Sequence, residues 1–379
     1  MINKIIWSCP VPPGKQGGPF TVLNNIRIAL EKHYNDKLTI MSGEGMPYEA
    51  AHTLAAGSLF DELASFQLEG EYDLFFGVGY DSLLQIREIK NRGRIRLLDR
   101  SDRVSELLLK NSNFTNVQLD TFLPKAVTIH MSTEHNHAYN VLTPEYQKYG
   151  IKNEPLPPLL RWRGDREHEL VDGIIVASNQ QRETYEATPR LVGKVHVVGF
   201  GVDSKLFHPP QVPTDESKVL IAGGNAVRKG LTYLLRAWND AHLDGILTIM
   251  GSDVRLNPSW RTRVLGWVPD EKVPEVYRQN SVFCLPSIEE GQALTILEAM
   301  ASGLPVIVTR ETGATDFVKD GTHGLVIPSR DTTAIQNALQ YFHDNPAEIK
   351  RMGKNARELA ESLSWEKFQQ QLIQTLEAI

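Results

Sequence analysis

The chain has 379 residues, 41% hydrophobic and 23% charged, a composition typical of a globular protein with room for two domains. Its formal net charge of −6 argues against general nucleic-acid binding, which needs a basic surface. Cys9 and Cys284 each lie in an apolar run, so the sequence predicts buried free thiols rather than a disulfide framework or a zinc site.

The sequence predicts no membrane-spanning segment, and one short stretch leaves contact with a membrane surface open. No apolar run reaches the ~18 residues that a membrane span needs. The apolar stretch in residues 1–10 is too short for a signal peptide, so we expect a cytosolic protein. Residues 159–166, LLRWRGDR, mix apolar, aromatic and basic side chains. Two interpretations stay open for them: an ordinary surface loop, or a peripheral contact with the inner membrane face.

In the first half of the chain, short apolar runs alternate with helical patterns. Residues 21–33 place Val22, Ile26 and Leu30 on one face, which predicts a helix after the first strand. The apolar runs lack polar alternation, as expected for parallel strands covered on both faces. The predicted strands are 4–9, 37–42, 73–79, 94–100, 125–130, 173–178 and 194–199.

A second series of the same kind follows the Pro-rich, polar segment 201–218. Two strand–helix series predict an α/β protein with two doubly wound, Rossmann-like parallel sheets. We place the N-terminal domain at 1–205 and the C-terminal domain at 206–363, and expect the last helix, 364–379, to pack back on the N-terminal domain. The predicted strands of the second domain are 218–224, 245–251, 281–286, 305–310 and 323–328, with helices at 230–241 and 293–302.

Ligands of open α/β sheets bind at the carboxyl ends of the strands, so the loops there are candidate sites in a cleft between the domains. Gly17 and Gly18 precede a predicted helix and let backbone N–H groups approach an anion; a plain tight turn is the alternative. Arg228 and Lys229 precede the helix that Gly230 opens, a position suited to a diphosphate. The alternative for these two cations is a solvated charge pair. No dinucleotide or P-loop motif is found.

His130 closes a predicted strand, and His135 and His137 follow in what we expect to be a loop. Three interpretations stay open: His130 is a polar contact to a substrate, it is structural, or the three histidines bind a metal. Because these three histidines, within eight residues of one loop, lack a supporting group of carboxylates elsewhere in the sequence, we predict no metal.

The loop before helix 293–302 carries the most informative acids. The free N–H groups near residues 292–295 face the predicted cleft. Glu290 lies just before them and Glu298 one to two turns beyond. An anion site between two carboxylates suits a phosphate joined to hydroxyl-rich sugars. Glu289 and Glu311 are expected to be solvated or to lie behind the ligand-contacting side chains.

These motifs resemble the retaining glycosyltransferases of the GT-B fold, family 4, also called glycosyl transferases group 1. The match is carried by GGNAVRKG (223–230), by residues 264–331 and by SLSWEKF (362–368). Within it, Glu290 and Glu298 form the family's E-x7-E element. The resemblance covers roughly residues 194–368, and the first half of the chain matches more loosely.

The resemblance implies a role for each matching residue. Glu290 would bind the hydroxyls of the donor sugar, and Glu298 the nucleotide ribose. His130 would lie near the transferred sugar, so that His130, Glu290 and Lys229 would be catalytic. The other implied donor contacts are backbone N–H groups of Ala293, Leu294 and Thr295 at the diphosphate, Lys229 and Arg228 as counter-charges, backbone around Gly266, Trp267 and Val268 at the base, Gly17 and Gly18 at the phosphate and acceptor, and the neighbouring Gly291 and Gln292. The usual Phe-Gly after the first glutamate is Gln292-Ala293 here, which puts the shape of the sugar pocket in doubt.

The implied reaction transfers a hexose from a nucleoside diphosphate sugar to an acceptor hydroxyl with retention of configuration. UDP is favoured over GDP as the nucleotide of the donor. No metal or other cofactor is required. The acceptor is a sugar, a lipid-linked saccharide or a polysaccharide precursor. Two alternatives stay open: another GT-B enzyme, such as a sugar-nucleotide epimerase or a phosphorylase, and a non-catalytic sugar-nucleotide binding protein.

Overall fold

A computed structural model of the chain describes residues 2, 4–9, 18–42, 72–78, 85–86, 125–151, 158–211, 218–251 and 261–379. The predicted strand at 94–100 and the predicted site residue Gly17 lie outside these residues. All twelve strands of the described part belong to two six-stranded parallel sheets, so the predicted fold class is confirmed.

The first sheet forms the N-terminal unit and has the strand order β2-β1-β3-β4-β5-β6. Strand β1 (Ile5–Cys9) lies between β2 and β3 and is buried along its whole length, as expected for its apolar sequence. The strands are β1 (Ile5–Cys9), β2 (Leu38–Ser42), β3 (Leu74–Val78), β4 (Lys125–Ile129), β5 (Gly173–Val176) and β6 (Val195–Val197).

The second sheet forms the C-terminal unit and has the order β12-β11-β10-β7-β8-β9. Five of its strands were predicted; β9 was not, because its sequence, TRVLG, contains no continuous apolar run. The strands are β7 (Lys218–Ala222), β8 (Ile246–Met250), β9 (Thr262–Gly266), β10 (Val282–Leu285), β11 (Val306–Thr309) and β12 (Gly324–Ile327). Cys9 in β1 and Cys284 in β10 are buried and free, as predicted.

Helices cover both sheets. In the C-terminal unit α5 packs on α8 and α7 on α9. The α-helices of the described residues are α1 (Gly18–Tyr34), α2 (His135–Lys148), α3 (Pro158–Leu170), α4 (Asn179–Glu186), α5 (Leu231–Ala241), α6 (Val273–Arg278), α7 (Leu294–Ala301), α8 (Thr332–Asp344), α9 (Pro346–Ser362) and α10 (Trp365–Ala378). Short 3-10 turns lie at Asn35–Lys37, Pro189–Leu191, Asp270–Lys272, Arg310–Thr312 and Ala314–Asp316.

Two segments that we expected to be loops are helical. His135 and His137 lie in the first turn of α2, which begins where the carboxylate of Glu134 accepts the backbone N–H of His137. Residues 159–166 lie within α3, where Trp162 is 53% exposed. Among the helices of the described ranges, none is long and apolar enough to cross a membrane.

The last helix crosses from the C-terminal unit to the N-terminal one. α10 packs on α1, where the side-chain amide of Gln369 donates to that of Asn25 at 2.9 Å. The backbone N–H of Val202 donates to the carbonyl of Leu363 at 2.9 Å just before the helix. The domain boundary that we placed after residue 205 stays a prediction.

Candidate active site

Lys229 and Glu290 follow neighbouring strands of the second sheet, and their side chains meet. β7 ends at Ala222 and β10 at Leu285; these strands pair in parallel, so the loops after them share one edge of the sheet. Nζ of Lys229 lies 2.6 Å from Oε1 of Glu290, and the guanidinium of Arg228 donates to Oε2 at 2.9 Å. One carboxylate therefore pairs with two cations.

The environment of Glu290 keeps it ionised. Burial raises the pKa of its carboxyl group, but the charges of Arg228 and Lys229 outweigh burial and hold the pKa below its ordinary value. Glu290 and Lys229 are 4% and 8% exposed, so the pair is shielded from bulk water. Electrostatic interactions are stronger in such an environment than in water. Lys229 is therefore not solvated, whereas Arg228 is half-buried against the same carboxylate.

Glu289 joins the two units. Its Oε1 accepts the hydroxyl of Thr133 at 2.6 Å, 156 positions away in the chain, and its Oε2 lies 3.5 Å from Arg228. The side chain is buried, so a solvated position is excluded for it. Glu311 is half-buried and accepts the hydroxyl of Ser329 at 2.9 Å. Glu289 thus links the cations of the site to the N-terminal unit.

Further contacts between the units hold the loop before α7. The hydroxyl of Ser178 donates to the carbonyl of Gly291 at 2.7 Å, and the side-chain carbonyl of Gln292 accepts the backbone N–H of Phe200 at 2.7 Å. The predicted residues Gly291 and Gln292 are therefore placed by the N-terminal unit as well as by their own strand.

The N-terminus of α7 faces the same loop. The helix begins at Leu294, and no side chain of the described residues caps it. The backbone N–H of Ala293 donates to the carbonyl of Thr312 at 3.3 Å. This N–H group is therefore already engaged, whereas we expected it to donate to the phosphate. The N–H groups of Leu294 and Thr295 belong to the first turn, which has no intrahelical acceptors. An uncapped helix N-terminus of this kind binds anions.

Glu298 lies one turn further along α7. Its Oε2 accepts the hydroxyl of Tyr277 at 2.7 Å. Burial, aided by the negative charge of Asp270, raises the pKa of its carboxyl group to about 7, although the bond from Tyr277 opposes this shift. Glu298 therefore carries only part of its charge at neutral pH.

The residues predicted at the base lie at the end of the edge strand β9. The carbonyl of Gly266 accepts the backbone N–H of Gly251 at 2.6 Å, which joins the ends of β9 and β8. Trp267 is 78% exposed and Val268 is half-buried. Gly18 opens α1 after β1 in the other unit. The roles of these residues stay predictions.

His130 lies at the end of β4, but its ring is buried within the N-terminal unit. Its Nε2 lies 3.3 Å from Oε1 of Glu167 and 3.2 Å from the hydroxyl of Thr128, and the ring packs against Tyr185. Burial, with the nearby His135, lowers the pKa of His130 to about 3. The ring is therefore neutral, and its contact with a sugar stays a prediction.

Three side chains of the kinds that bind metal ions lie near this ring. Glu134, His135 and His168 are close enough to share an ion. Burial, with His130 and His135, lowers the pKa of His168 to about 2, so this ring is neutral as well. The proximity of these three side chains was not predicted from the sequence, because His168 lies more than thirty positions after His135, on another helix.

A family model matches part of the chain. Residues 203–359 match the family described as Glycosyl transferases group 1. The matched segment is less than half of the chain, and it includes Arg228, Lys229, Glu290 and Glu298.

Curated relatives match part of the chain. MMP alpha-(1->4)-mannosyltransferase of Mycolicibacterium hassiacum is 28% identical over 199 residues, which are 48% of this chain and 48% of that protein. UDP-Gal:alpha-D-GlcNAc-diphosphoundecaprenol alpha-1,3-galactosyltransferase of Escherichia coli is 37% identical over 192 residues, 43% of this chain and 49% of that protein. The chain thus spans about half the length of these relatives.

Solved structures match the whole chain. Sucrose-phosphate synthase from Thermosynechococcus elongatus superposes with a TM-score of 0.68 at 20% identity, covering 99% of this chain and 98% of that one. Anabaena HepE in complex with UDP-glucose gives a TM-score of 0.63 at 16% identity and covers both chains fully, 100% of each. At these identities the likeness concerns the fold, and the predicted GT-B class is confirmed. Residues 203–359, which carry the paired glutamates and their cations, are thus similar to the glycosyl transferases group 1 family, on a fold that spans the chain.

Proposed function

We propose that the protein is a retaining glycosyltransferase that moves a hexose from a nucleoside diphosphate sugar to an acceptor hydroxyl. The observation that carries the proposal is the buried contact of Lys229 and Arg228 with Glu290, beside the uncapped N-terminus of α7. A diphosphate suits the cations and the helix N-terminus, and a sugar diol suits the carboxylate.

The chemistry follows from where charge develops. When the bond between the anomeric carbon and the diphosphate breaks, negative charge grows on the leaving oxygen. Lys229, Arg228 and the N–H groups of Leu294 and Thr295 are placed to stabilise this charge. In the front-face path that we favour, the leaving oxygen accepts the proton of the acceptor hydroxyl. No second carboxylate is assigned as a nucleophile, because Glu290 is assigned to the sugar hydroxyls.

The finer assignments draw on the relatives. The Escherichia coli relative is named for UDP-Gal, and HepE was solved with UDP-glucose. These names favour UDP over GDP as the nucleotide of the donor. Other relatives are named D-inositol 3-phosphate glycosyltransferase, so the acceptors in their names range from a phosphorylated polyol to a lipid-linked sugar. A sugar or lipid-linked hydroxyl is accordingly our proposed acceptor class, and glycan or glycolipid synthesis the proposed context.

A ligand screen tests the donor. Melting temperatures are measured with UDP, GDP and ADP and their sugars, and a nucleotide at ~100 times its Kd adds about 2.7 kcal/mol of stability. We expect UDP and UDP-sugars to raise the melting temperature most. If no nucleotide shifts it, the proposal is wrong. Pyridoxal absorbance would instead indicate a phosphorylase. Conversion of one UDP-sugar into another UDP-sugar, without an acceptor, would indicate an epimerase.

Glu290→Gln tests catalysis. Because the substitution removes the charge that faces Lys229 and the sugar, we expect kcat/KM for UDP release to fall by roughly 10²–10³-fold, the scale of one electrostatic group in an active site. Glu311→Gln is the matched control, since Glu311 contacts Ser329 instead, and we expect near wild-type turnover. Nucleotide binding by the wild type without turnover on any acceptor pool would favour the non-catalytic binding protein.

A further inference from the structure

A cluster of histidine and carboxylate side chains lies inside the N-terminal unit, apart from the donor loops. Glu134 caps α2, His135 is the first residue of that helix, and His168 lies in the last turn of α3, which packs on α2. One ligand atom from each of these three residues lies within 4.8 Å of the other two. All three residues are at most 4% exposed.

His168 adds a second, independent observation. Its Nε2 is buried and, within the part of the chain that the structure describes, has no hydrogen-bonding partner. A buried polar atom without a partner destabilises the fold, so such an atom calls for a ligand. A neutral imidazole nitrogen offers a lone pair, and a cation is a partner for it.

We propose that Glu134, His135 and His168 bind a divalent cation, with Zn²⁺ as the ion that fits best. Two imidazoles and one carboxylate are a known zinc donor set, and imidazole favours zinc over calcium and magnesium. Zinc bonds of about 2.0–2.1 Å at tetrahedral angles place ligand atoms roughly 3.4 Å apart. Side-chain rotations that bring the widest pair closer by about 1.4 Å therefore complete the site.

The surroundings already orient two of the ligands. Oε2 of Glu134 accepts the backbone N–H of His137 at 2.9 Å, while Oε1 lies 2.9 Å from Nδ1 of His135 and accepts from Asn136 at 3.3 Å. On the other side of the ring, Nε2 of His135 lies 3.3 Å from Oδ1 of Asp165. A carboxylate behind a metal-bound histidine fixes its tautomer and orientation. The side-chain amide of Asn136 also lies 3.1 Å from this Nε2. In the tautomer in which Nε2 donates its proton to Asp165, Nδ1 of His135 is available to the ion.

The ion would have a structural role. Thr133 precedes the cluster and donates to Glu289 of the other unit. An ion that ties α2 to α3 fixes the segment that makes this contact. The site lies in the N-terminal unit and does not depend on the proposed glycosyl transfer.

The test uses Zn²⁺ alone, added to the chelator-stripped chain. We expect equilibrium dialysis with elemental analysis to give one tightly bound zinc per chain, and zinc to raise the melting temperature. His168→Asn and Glu134→Gln each remove one ligand, the latter with an oxygen kept for the helix cap, and both are expected to lose this zinc. His242→Asn changes an exposed histidine and is expected to keep it.

A variant outside the core keeps the test decisive if the buried variants do not fold. Asp165 is 42% exposed at its side chain. We expect Asp165→Ala to fold and to weaken zinc binding 10–100-fold, the typical effect of losing a carboxylate behind a ligand. X-ray absorption of the wild-type zinc protein should show two imidazole ligands. The proposal is overturned if the wild type takes up no zinc, if the ligand variants keep it, or if the spectrum lacks imidazole.

Discussion

Glu290 is buried and Glu298 is half-buried, and their charges differ. Burial raises the pKa of each, but Glu290 contacts two cations, whereas Glu298 accepts one phenol hydroxyl and lies near Asp270. Glu290 is therefore ionised at pH 7, and Glu298 is about half protonated. A protonated carboxyl group can donate as well as accept hydrogen bonds, so Glu298 suits a ribose diol in either state.

The raised pKa of Glu298 predicts a pH dependence of stability. An unfolded Glu titrates near 4.5 and the folded one near 7, so the native state binds the extra proton between these values. Stability contributed by this group is therefore present below pH 4.5 and is lost as the pH rises towards 7. The loss is at most on the order of 3 kcal/mol, since one pKa unit corresponds to about 1.4 kcal/mol.

Urea unfolding of the wild type and Glu298→Gln at several pH values measures this effect. The Gln variant does not titrate here but shares every other ionisable group. We expect the stability of the wild type relative to Glu298→Gln to fall between pH 5 and 7.5. Parallel stability curves for the two proteins would show that Glu298 titrates normally.

At the scale of elements, the sequence predicted the strands that carry a continuous apolar run, and it missed a strand and a helix start that lack a clear local signal. β1 and β10 are fully buried, so a continuous apolar run sufficed to identify them. β9 is an edge strand with exposed side chains at Arg263 and Val264, so it carries no such run. The start of α2 was missed because its cap is Glu134, and glutamate is not among the usual capping residues.

The anion site at α7 can be tested by removing one backbone donor. Leu294 is the first residue of the helix, where proline is tolerated because its missing N–H has no intrahelical partner. Ala293 before it is extended, as a residue preceding proline must be. We expect Leu294→Pro to weaken UDP binding roughly 10-fold, the loss of about 1.5 kcal/mol for one hydrogen bond to a charged group.

The matched control is Thr332→Pro, at the first position of α8. Its preceding residue Asp331 is also extended, and α8 is not part of the candidate site. We expect the control to bind UDP like the wild type in calorimetry, with a similar small change in melting temperature. Equal UDP affinities in Leu294→Pro and the wild type would exclude that N–H group as a phosphate donor.

At the scale of the whole molecule, the arrangement of the two units depends on contacts that no local pattern encodes. Glu289 and Thr133 are 156 positions apart, and their hydrogen bond requires two separately folded sheets to meet in one orientation. The E-x7-E spacing predicted Glu290 and Glu298 because both lie on one loop and helix. It held no information on Glu289, whose partner belongs to the other unit.

Gly291 is the point where the two units approach most tightly in this loop. A Cβ atom at this position would overlap the carbonyl oxygen of Met131 and lie 3.0 Å from the side-chain oxygen of Gln181, both in the N-terminal unit. Backbone and a buried amide cannot move aside easily. We therefore expect Gly291→Ala to force the units apart, with a loss of about 1–3 kcal/mol typical of overpacking.

Gly199→Ala is the matched control on the opposite side of the same contact. Its Cβ would lie 3.6 Å from the carbonyl of Ala177 and 3.8 Å from the amide of Gln292, which is ordinary packing. We expect Gly291→Ala to lower the melting temperature and to increase the radius of gyration in small-angle scattering, while Gly199→Ala matches the wild type in both. Since the proposed transfer needs both units around the donor, kcat/KM should fall in Gly291→Ala alone. Equal scattering and turnover in the two variants would mean that the contact of Gly291 with Met131 does not set the position of the units.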